Sequence, residues 1–166
     1  YPSTENFHKS VYYVDYNEDI YVGYRYFETI PGAAEKVNYP FGFGLSYTSF
    51  DWDITDASAD GSTLTKDGDV TVKVTVTNTG DRDADEVVQL YVRDLVGSLS
   101  RPVKELKGFK RINLKKGETK TVSFTVTPDD LMFYNQQLEY KCEPGDFNIM
   151  VGPNSRDVQT LKFSLK

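Results

Sequence analysis

Cysteine and histidine are nearly missing from this sequence of 166 residues: Cys142 and His8 are the sole members of their types. A single cysteine excludes an intrachain disulfide and a thiolate metal site, and a single histidine leaves carboxylates as the remaining ligands for a metal. With His8 read as a surface or packing residue, no Ser-His-acid relay can be assembled either. Long hydrophobic runs are missing too: no stretch of about 18 apolar residues occurs, and the start does not run from basic to apolar as a signal peptide does. The opening "YPSTENF", without methionine, reads as an excised segment and is compatible with a removed signal sequence. The compartment stays open between secreted, periplasmic and cytoplasmic. Positive charge is short, with 19 Lys and Arg against 25 Asp and Glu for a net charge of −6. The basic stretch from Lys104 to Lys116 is interrupted by apolar residues, so neither a nucleic-acid partner nor a membrane is expected.

What is abundant is aromatic, and it is unevenly placed. Nine of the twelve tyrosines and five of the ten phenylalanines fall within the first 50 residues. Aliphatic partners are few there, so this segment is too poor to build a core alone and is expected to pack against something else. "YPFGFGLSYTSF", Tyr39 to Phe50, concentrates the question. Rings separated by glycines form either a platform for the apolar faces of sugars or a compact loop in which rings and backbone approach closely.

From about residue 48 the chain changes character. Apolar residues recur at every second position, the period of a half-buried strand. Phe50, Trp52 and Ile54 share one face; Val70, Val72, Val74 and Val76 alternate with Thr71, Lys73, Thr75 and Thr77. Val88, Leu90 and Val92 follow, then Leu106, Phe109 and Ile112 with a bulge expected at Gly108, then Val122, Phe124 and Val126. Phe147, Ile149 and Val151 and finally Leu161, Phe163 and Leu165 close the series. Seven or so short strands separated by "DGD", "KKGE", "EPGD" and "GPNS" predict an all-β chain, an antiparallel β-sandwich of the immunoglobulin or fibronectin III kind, behind a largely irregular aromatic extension. "TPDDLMFYN" is the one place for a helical turn, capped by Thr127 or Asp129.

The many carboxylates belong mostly to turns, where Asp forms local hydrogen bonds: Asp56, Asp60, Asp67 and Asp69 around one hairpin, and Asp81, Asp83, Asp85 and Glu86 in the next loop. "DRDADE" lacks the glycine and terminal glutamate spacing of a helix-loop-helix calcium site. No cofactor, metal site or catalytic residue is expected. "GYRYF" offers Arg25 to a carboxylate, or Tyr24 and Tyr26 to a sugar; the plainer reading is an arginine stacked among rings at a seam.

Five stretches occur in a telling order: "EDIYVGYRYF" (Glu18 to Phe27), "YPFGFGLSYTSF", "RPVKELKGFKRINLKKGETKTVSFTV" (Arg101 to Val126), "DDLMFY" (Asp129 to Tyr134) and "EPGDFNIMVGPNS" (Glu143 to Ser155). Together they resemble the successive landmarks of glycoside hydrolase family 3, the β-glucosidase family. Two positions depart from the family's usual pattern: Phe43 stands between Gly42 and Gly44 where a histidine is common, and Asp19 stands where a glycine is common.

That resemblance implies that residues 47–166 are the family's fibronectin III-like domain and residues 1–46 the tail of the preceding α/β sandwich domain with its linker. It also implies that the nucleophilic aspartate, in a Ser-Asp-Trp motif of a barrel, and the acid/base glutamate lie elsewhere. Asp51-Trp52 is preceded by Phe50 instead of serine, and the strand pattern turns Asp51 away from the core. The chain alone is therefore expected to be a non-catalytic accessory domain of a retaining hydrolase of terminal β-D-glycosides. Its expected partners are the parent's catalytic domains, a second copy, and weakly bound oligosaccharide. Tyr24, Arg25, Tyr26, Phe41 and Phe43 are the candidates for an interdomain or cleft-rim contact, or alternatively for a carbohydrate- or surface-binding module.

Overall fold

The computed structural model describes residues 4, 7, 9–58, 62–64 and 68–166. His8, Asp60 and Asp67 lie outside the described residues. Ten strands are described: β1 (Phe50–Ala57), β2 (Ser62–Leu64), β3 (Val70–Asn78), β4 (Ala84–Asp94), β5 (Glu105–Leu114), β6 (Thr119–Val126), β7 (Phe133–Tyr134), β8 (Tyr140–Lys141), β9 (Gly145–Gly152) and β10 (Gln159–Leu165). They form a three-stranded sheet in the order β1-β3-β6, a five-stranded sheet in the order β2-β10-β9-β4-β5, and the small β7-β8 hairpin. Pairing is antiparallel except between β2 and β10, which run parallel. β2 carries one of the short edge segments that the alternation pattern did not single out, since three residues are too few to display a period.

The valines of β3 explain the sandwich. Val70, Val72, Val74 and Val76 are essentially fully buried and face Val88, Leu90, Val92, Phe147, Ile149 and Phe163 of the other sheet. Each such side chain contributes about 1.5–3 kcal/mol by leaving water. The Phe147 and Phe163 rings, on paired strands β9 and β10, stack at 5.3 Å. Phe50, Trp52 and Ile54 of β1 pack at the margin of this core, while Asp51 and Asp53 between them are exposed. The outer face of the three-stranded sheet is a threonine ladder: Thr75 bonds Thr55 and Thr121, and Thr77 bonds Thr119 at 2.9 Å.

Opposite Leu90 and Tyr91 the β4-β5 register slips, pairing Gly108 and then Leu106, so Lys107 is the extra residue. The bulge lies one residue from the expected glycine. Gly108 itself is pressed by the Phe124 ring, which a Cβ there would meet at 3.2 Å. Thr127 caps the short helix α2 (Pro128–Leu131), where the Asp130 carboxylate accepts from the Thr127 backbone N–H at 2.9 Å; proline at the first helical position costs no hydrogen bond.

The N-terminal extension is largely irregular among its described residues, as expected, with two short helical pieces. α1 (Tyr24–Thr29) is a helix of six residues, followed by a 3-10 turn at Ala34–Lys36. α1 ends at Ile30, whose extended backbone is what Pro31 imposes on its predecessor.

Candidate functional site

One interruption in the strand pattern positions everything that follows. In β4 the residues from Val88 to Val92 are all buried, whereas a two-sided strand with one solvated face would bury every second one. Val88, Leu90 and Val92 face the core; Gln89 and Tyr91 face outward and are covered by the N-terminal arm. Tyr24 of α1 lies edge-on to Tyr91 at 6.0 Å and stacks on Phe41 at 4.5 Å. Its hydroxyl oxygen accepts from the Leu106 backbone N–H at 2.7 Å. Tyr91 donates its hydroxyl to Gln89 Oε1 at 2.5 Å, and Gln89 Nε2 donates to the carbonyls of Gly42 at 3.2 Å and Pro153 at 2.5 Å. Burial raises the Tyr91 hydroxyl pKa above the ordinary phenol value, so it stays a donor. Gly42 is required on two counts: its φ is +81°, and a Cβ there would overlap the Gln89 amide.

A second set of contacts fastens α1 to the turn after β9. Ser155 is fully buried with all three of its polar groups engaged. Its N–H donates to Phe41 O at 2.9 Å, its hydroxyl donates to Glu28 Oε1 at 2.7 Å, and its carbonyl accepts from Lys104 Nζ. Glu28 sits 3.8 Å from Lys104 Nζ and 3.4 Å from Arg156 Nε, and Arg156 also donates to Ala34 O. Lys104 has its pKa lowered, chiefly by burial, with the Glu28 charge pulling the other way. The Val103 N–H donates to Thr29 Oγ1. At the arm's end Thr48 Oγ1 donates to Asn78 Oδ1 at 2.8 Å, while Asn78 Nδ2 serves the Arg82 and Leu114 carbonyls.

The residues singled out from sequence thus divide. Tyr24 and Phe41 are joined in one stack over the sheet, and Phe43 stacks on exposed Tyr39 at 4.8 Å. Tyr26 turns to Phe27 in an edge contact at 5.3 Å. Arg25 points elsewhere: it lines a groove of about 670 Å³ with Asp19, Tyr21, Ser100, Tyr134 and Tyr140. Arg25 is partly buried as a residue, and its side chain makes no hydrogen bond, ion pair or ring contact among the described residues, so the expected stacking among rings is not found among them. A smaller groove of about 290 Å³, almost wholly apolar, lies between Phe41, Phe43, Val87, Leu106 and Phe109. Asp19 takes a left-handed backbone, φ +50°, which explains why a glycine suits this position and why aspartate is a tolerated substitute.

Sequence reasoning missed Gln89, Glu28, Lys104 and Ser155. The available signal was the uncharged pair Gln89 and Tyr91 on what should have been a solvated strand face. The acidic loop before β4 spends its charge locally: Asp85 accepts from Arg111 and Asn113, which hold its pKa below the usual value, and Asp83 accepts from the Lys116 N–H. Glu86 accepts from Ser46 Oγ at 3.3 Å, and burial raises its pKa all the same.

Residues 86–155 match the fibronectin type III-like domain family. The periplasmic β-glucosidase of Salmonella typhimurium is 48% identical over 85% of this chain, which spans 18% of that protein. β-Glucosidase A of Butyrivibrio fibrisolvens is 43% identical over 99% of the chain, which spans 22% of it. Among solved structures, the Kluyveromyces marxianus β-glucosidase in complex with glucose superposes with a TM-score of 0.86 at 40% identity, covering 99% of this chain and 19% of that one. The chain therefore belongs to glycoside hydrolase family 3 as the C-terminal, fibronectin III-like part of a β-glucosidase-like protein.

Proposed function

We infer that the chain is a non-catalytic accessory unit of a β-glucosidase-like hydrolase whose remaining polypeptide releases terminal β-D-glycosyl residues with retention of configuration. One observation carries this reading: near-complete alignment of the chain to relatives named for glycosidase activity, of which it spans only about a fifth. Retaining hydrolysis needs two carboxyl groups about 5–5.5 Å apart across a cleft, and on this reading the parent's other domains supply them, while Glu28, Asp85 and Glu105 serve here in ion pairs within the chain. On this reading residues 1–46 are the end of the preceding α/β sandwich domain and its linker, and the apolar groove beside Phe41, Phe43 and Phe109 is where the rest of the parent seats. The purified chain is expected to leave 4-nitrophenyl β-D-glucoside unhydrolysed, while the full-length protein that contains it turns the substrate over. Turnover by the pure chain that disappears when one carboxylate is changed sinks the proposal.

A further inference from the structure

We propose that Tyr134 and Tyr140 form an oxidative cross-linking site, at which one-electron oxidation joins the two phenols into a dityrosine staple across the β7-β8 hairpin. The hairpin pairs the two residues directly opposite each other, with ring centroids 4.9 Å apart and planes tilted by 43°. Two rings linked through carbons beside their hydroxyls have centroids about 4.3 Å apart, two ring radii plus one C–C bond. The native pair therefore needs to close by only about 0.6 Å and to turn edge to edge. At 63% and 55% exposure both rings are free to turn, and such motion takes picoseconds to nanoseconds.

The rest of the hairpin is already fixed in the shape the staple requires. Asn135 is buried, and its Oδ1 accepts from the N–H groups of Gln137 and Glu139, both at 2.9 Å, while its Nδ2 donates to Glu139 Oε2. Leu138 turns the chain with a left-handed backbone, φ +60°, and donates its N–H to Asn135 O. A chain with one cysteine has no intrachain disulfide, so tyrosines are its route to a covalent staple.

Proximity and exposure coincide at no other tyrosine pair among the described residues. Tyr24 and Tyr91 lie 6.0 Å apart, but Tyr91 is fully buried and its hydroxyl is donated to Gln89. Tyr39 stacks on Phe43 and Tyr26 meets Phe27 edge-on, rings without a phenol. Tyr12, Tyr13, Tyr16 and Tyr47 are exposed yet make no ring contact among the described residues. The hydroxyls of Tyr134 and Tyr140 make no hydrogen bond among the described residues, so oxidation there sacrifices none.

The chemistry balances with hydrogen peroxide as the oxidant and a haem peroxidase as the agent that delivers it. Each phenol gives up one electron and one proton, leaving a tyrosyl radical, and the two radicals pair their electrons in a new Cε–Cε bond. The hydrogen on each bonded carbon then moves to its ring oxygen, which restores two phenols. The peroxide takes up the two electrons and two protons and leaves as two waters.

The test is oxidation of the whole chain at about 10 µM, dilute enough that rings held side by side react ahead of separate molecules. After treatment with haem peroxidase and peroxide, the chain is cut by a proteinase specific for glutamate, since Glu139 lies between the two tyrosines. The segments carrying Tyr134 and Tyr140 are expected to stay joined, two hydrogens lighter, with the blue fluorescence of dityrosine. Tyr134→Phe and Tyr140→Phe each keep the ring and so the fold; each should lower the intrachain yield at least about tenfold, whereas Tyr47→Phe should leave it within about twofold. In the linked chain the Leu138 and Glu139 amides should exchange about tenfold more slowly, because the staple holds the hairpin closed. Intrachain links that fall on Tyr21 or Tyr47 instead, coupling chiefly between molecules, unaltered exchange in the linked hairpin, or an unchanged yield in either hairpin variant would overturn the proposal. Turnover plays no part in the readout, so the outcome is independent of the accessory reading.

Discussion

The sandwich has two outer faces, and the molecule treats them oppositely. On the three-stranded sheet the outward residues of β3 are Thr71, Lys73, Thr75 and Thr77: Thr75 and Thr77 bond neighbouring threonines, Lys73 pairs with Asp56, and all four stay at least partly in contact with water. On the five-stranded sheet the outward residues of β4 are Gln89 and Tyr91, both closed off beneath α1 and the glycine-aromatic loop. The first face can lose a hydroxyl and hydrate the gap. The second cannot, because each polar atom there has a designated partner and no water to replace it. An outer strand face is therefore a reliable surface only when its residues can tolerate solvent, whatever the alternation says.

Changes that reach both faces should be the most damaging. Phe147→Ala opens a cavity in the shared core and should cost about 3–5 kcal/mol in chemical denaturation, with arm and sandwich melting together. If arm and sandwich instead unfold in separate transitions, the two regions are less coupled than the contacts imply. Glu28→Ala comes next. It leaves Lys104 and Arg156 facing a buried site without their counter-charge and removes the acceptor of the Ser155 hydroxyl, at about 2–3 kcal/mol after allowing for the partial exposure of Arg156.

Gly42→Ala tests the covered face by itself. It combines a disfavoured left-handed backbone with overlap on Gln89, for about 1–3 kcal/mol. Amide exchange should accelerate at Ser155, whose N–H is bonded to Phe41 O, while the β3-β6 amides under the threonine ladder keep their protection. Equal acceleration on both faces would break the comparison.

A smaller, pH-dependent effect separates burial from bonding. Glu86 titrates above its usual 4.5 because burial outweighs its hydrogen bonds. The native state therefore holds more protons than the unfolded one between 4.5 and the raised value, and stability gains as pH falls through that window. Glu86→Gln removes this dependence. Relative to the parent chain, it should be most stabilising near neutral pH and approach no difference below about pH 4.5, as read from denaturation midpoints across pH. Smallest of all, Thr75→Ala on the solvated ladder should stay within about 0.5 kcal/mol, a control that makes the Gly42 and Glu28 losses attributable to the covered face.

Much of the fold is legible in residues. The four valines of β3, the run from Val122 to Val126 and the alternation of β9 and β10 specify strands because a period of two is a local property that any strand with one buried face must show. The same logic turned Asp51 outward and located the β5 bulge to within one residue. The β7-β8 hairpin and β2 were not legible, being two or three residues long.

The ring-rich arm was recognisable as packing material, and its order of motifs identified the family. What covers what was a different matter. Glu28 and Ser155 are 127 residues apart, Tyr24 and Leu106 82, and Gln89 and Gly42 47. No periodicity records such pairs, because hydrogen bonds between distant segments depend on geometry that exists only once both sheets have formed. Residue pattern by itself determined that there would be a β-sandwich with an aromatic arm; the tertiary structure decided that the arm would lie across β4, stacking Tyr24 on Phe41 over Tyr91.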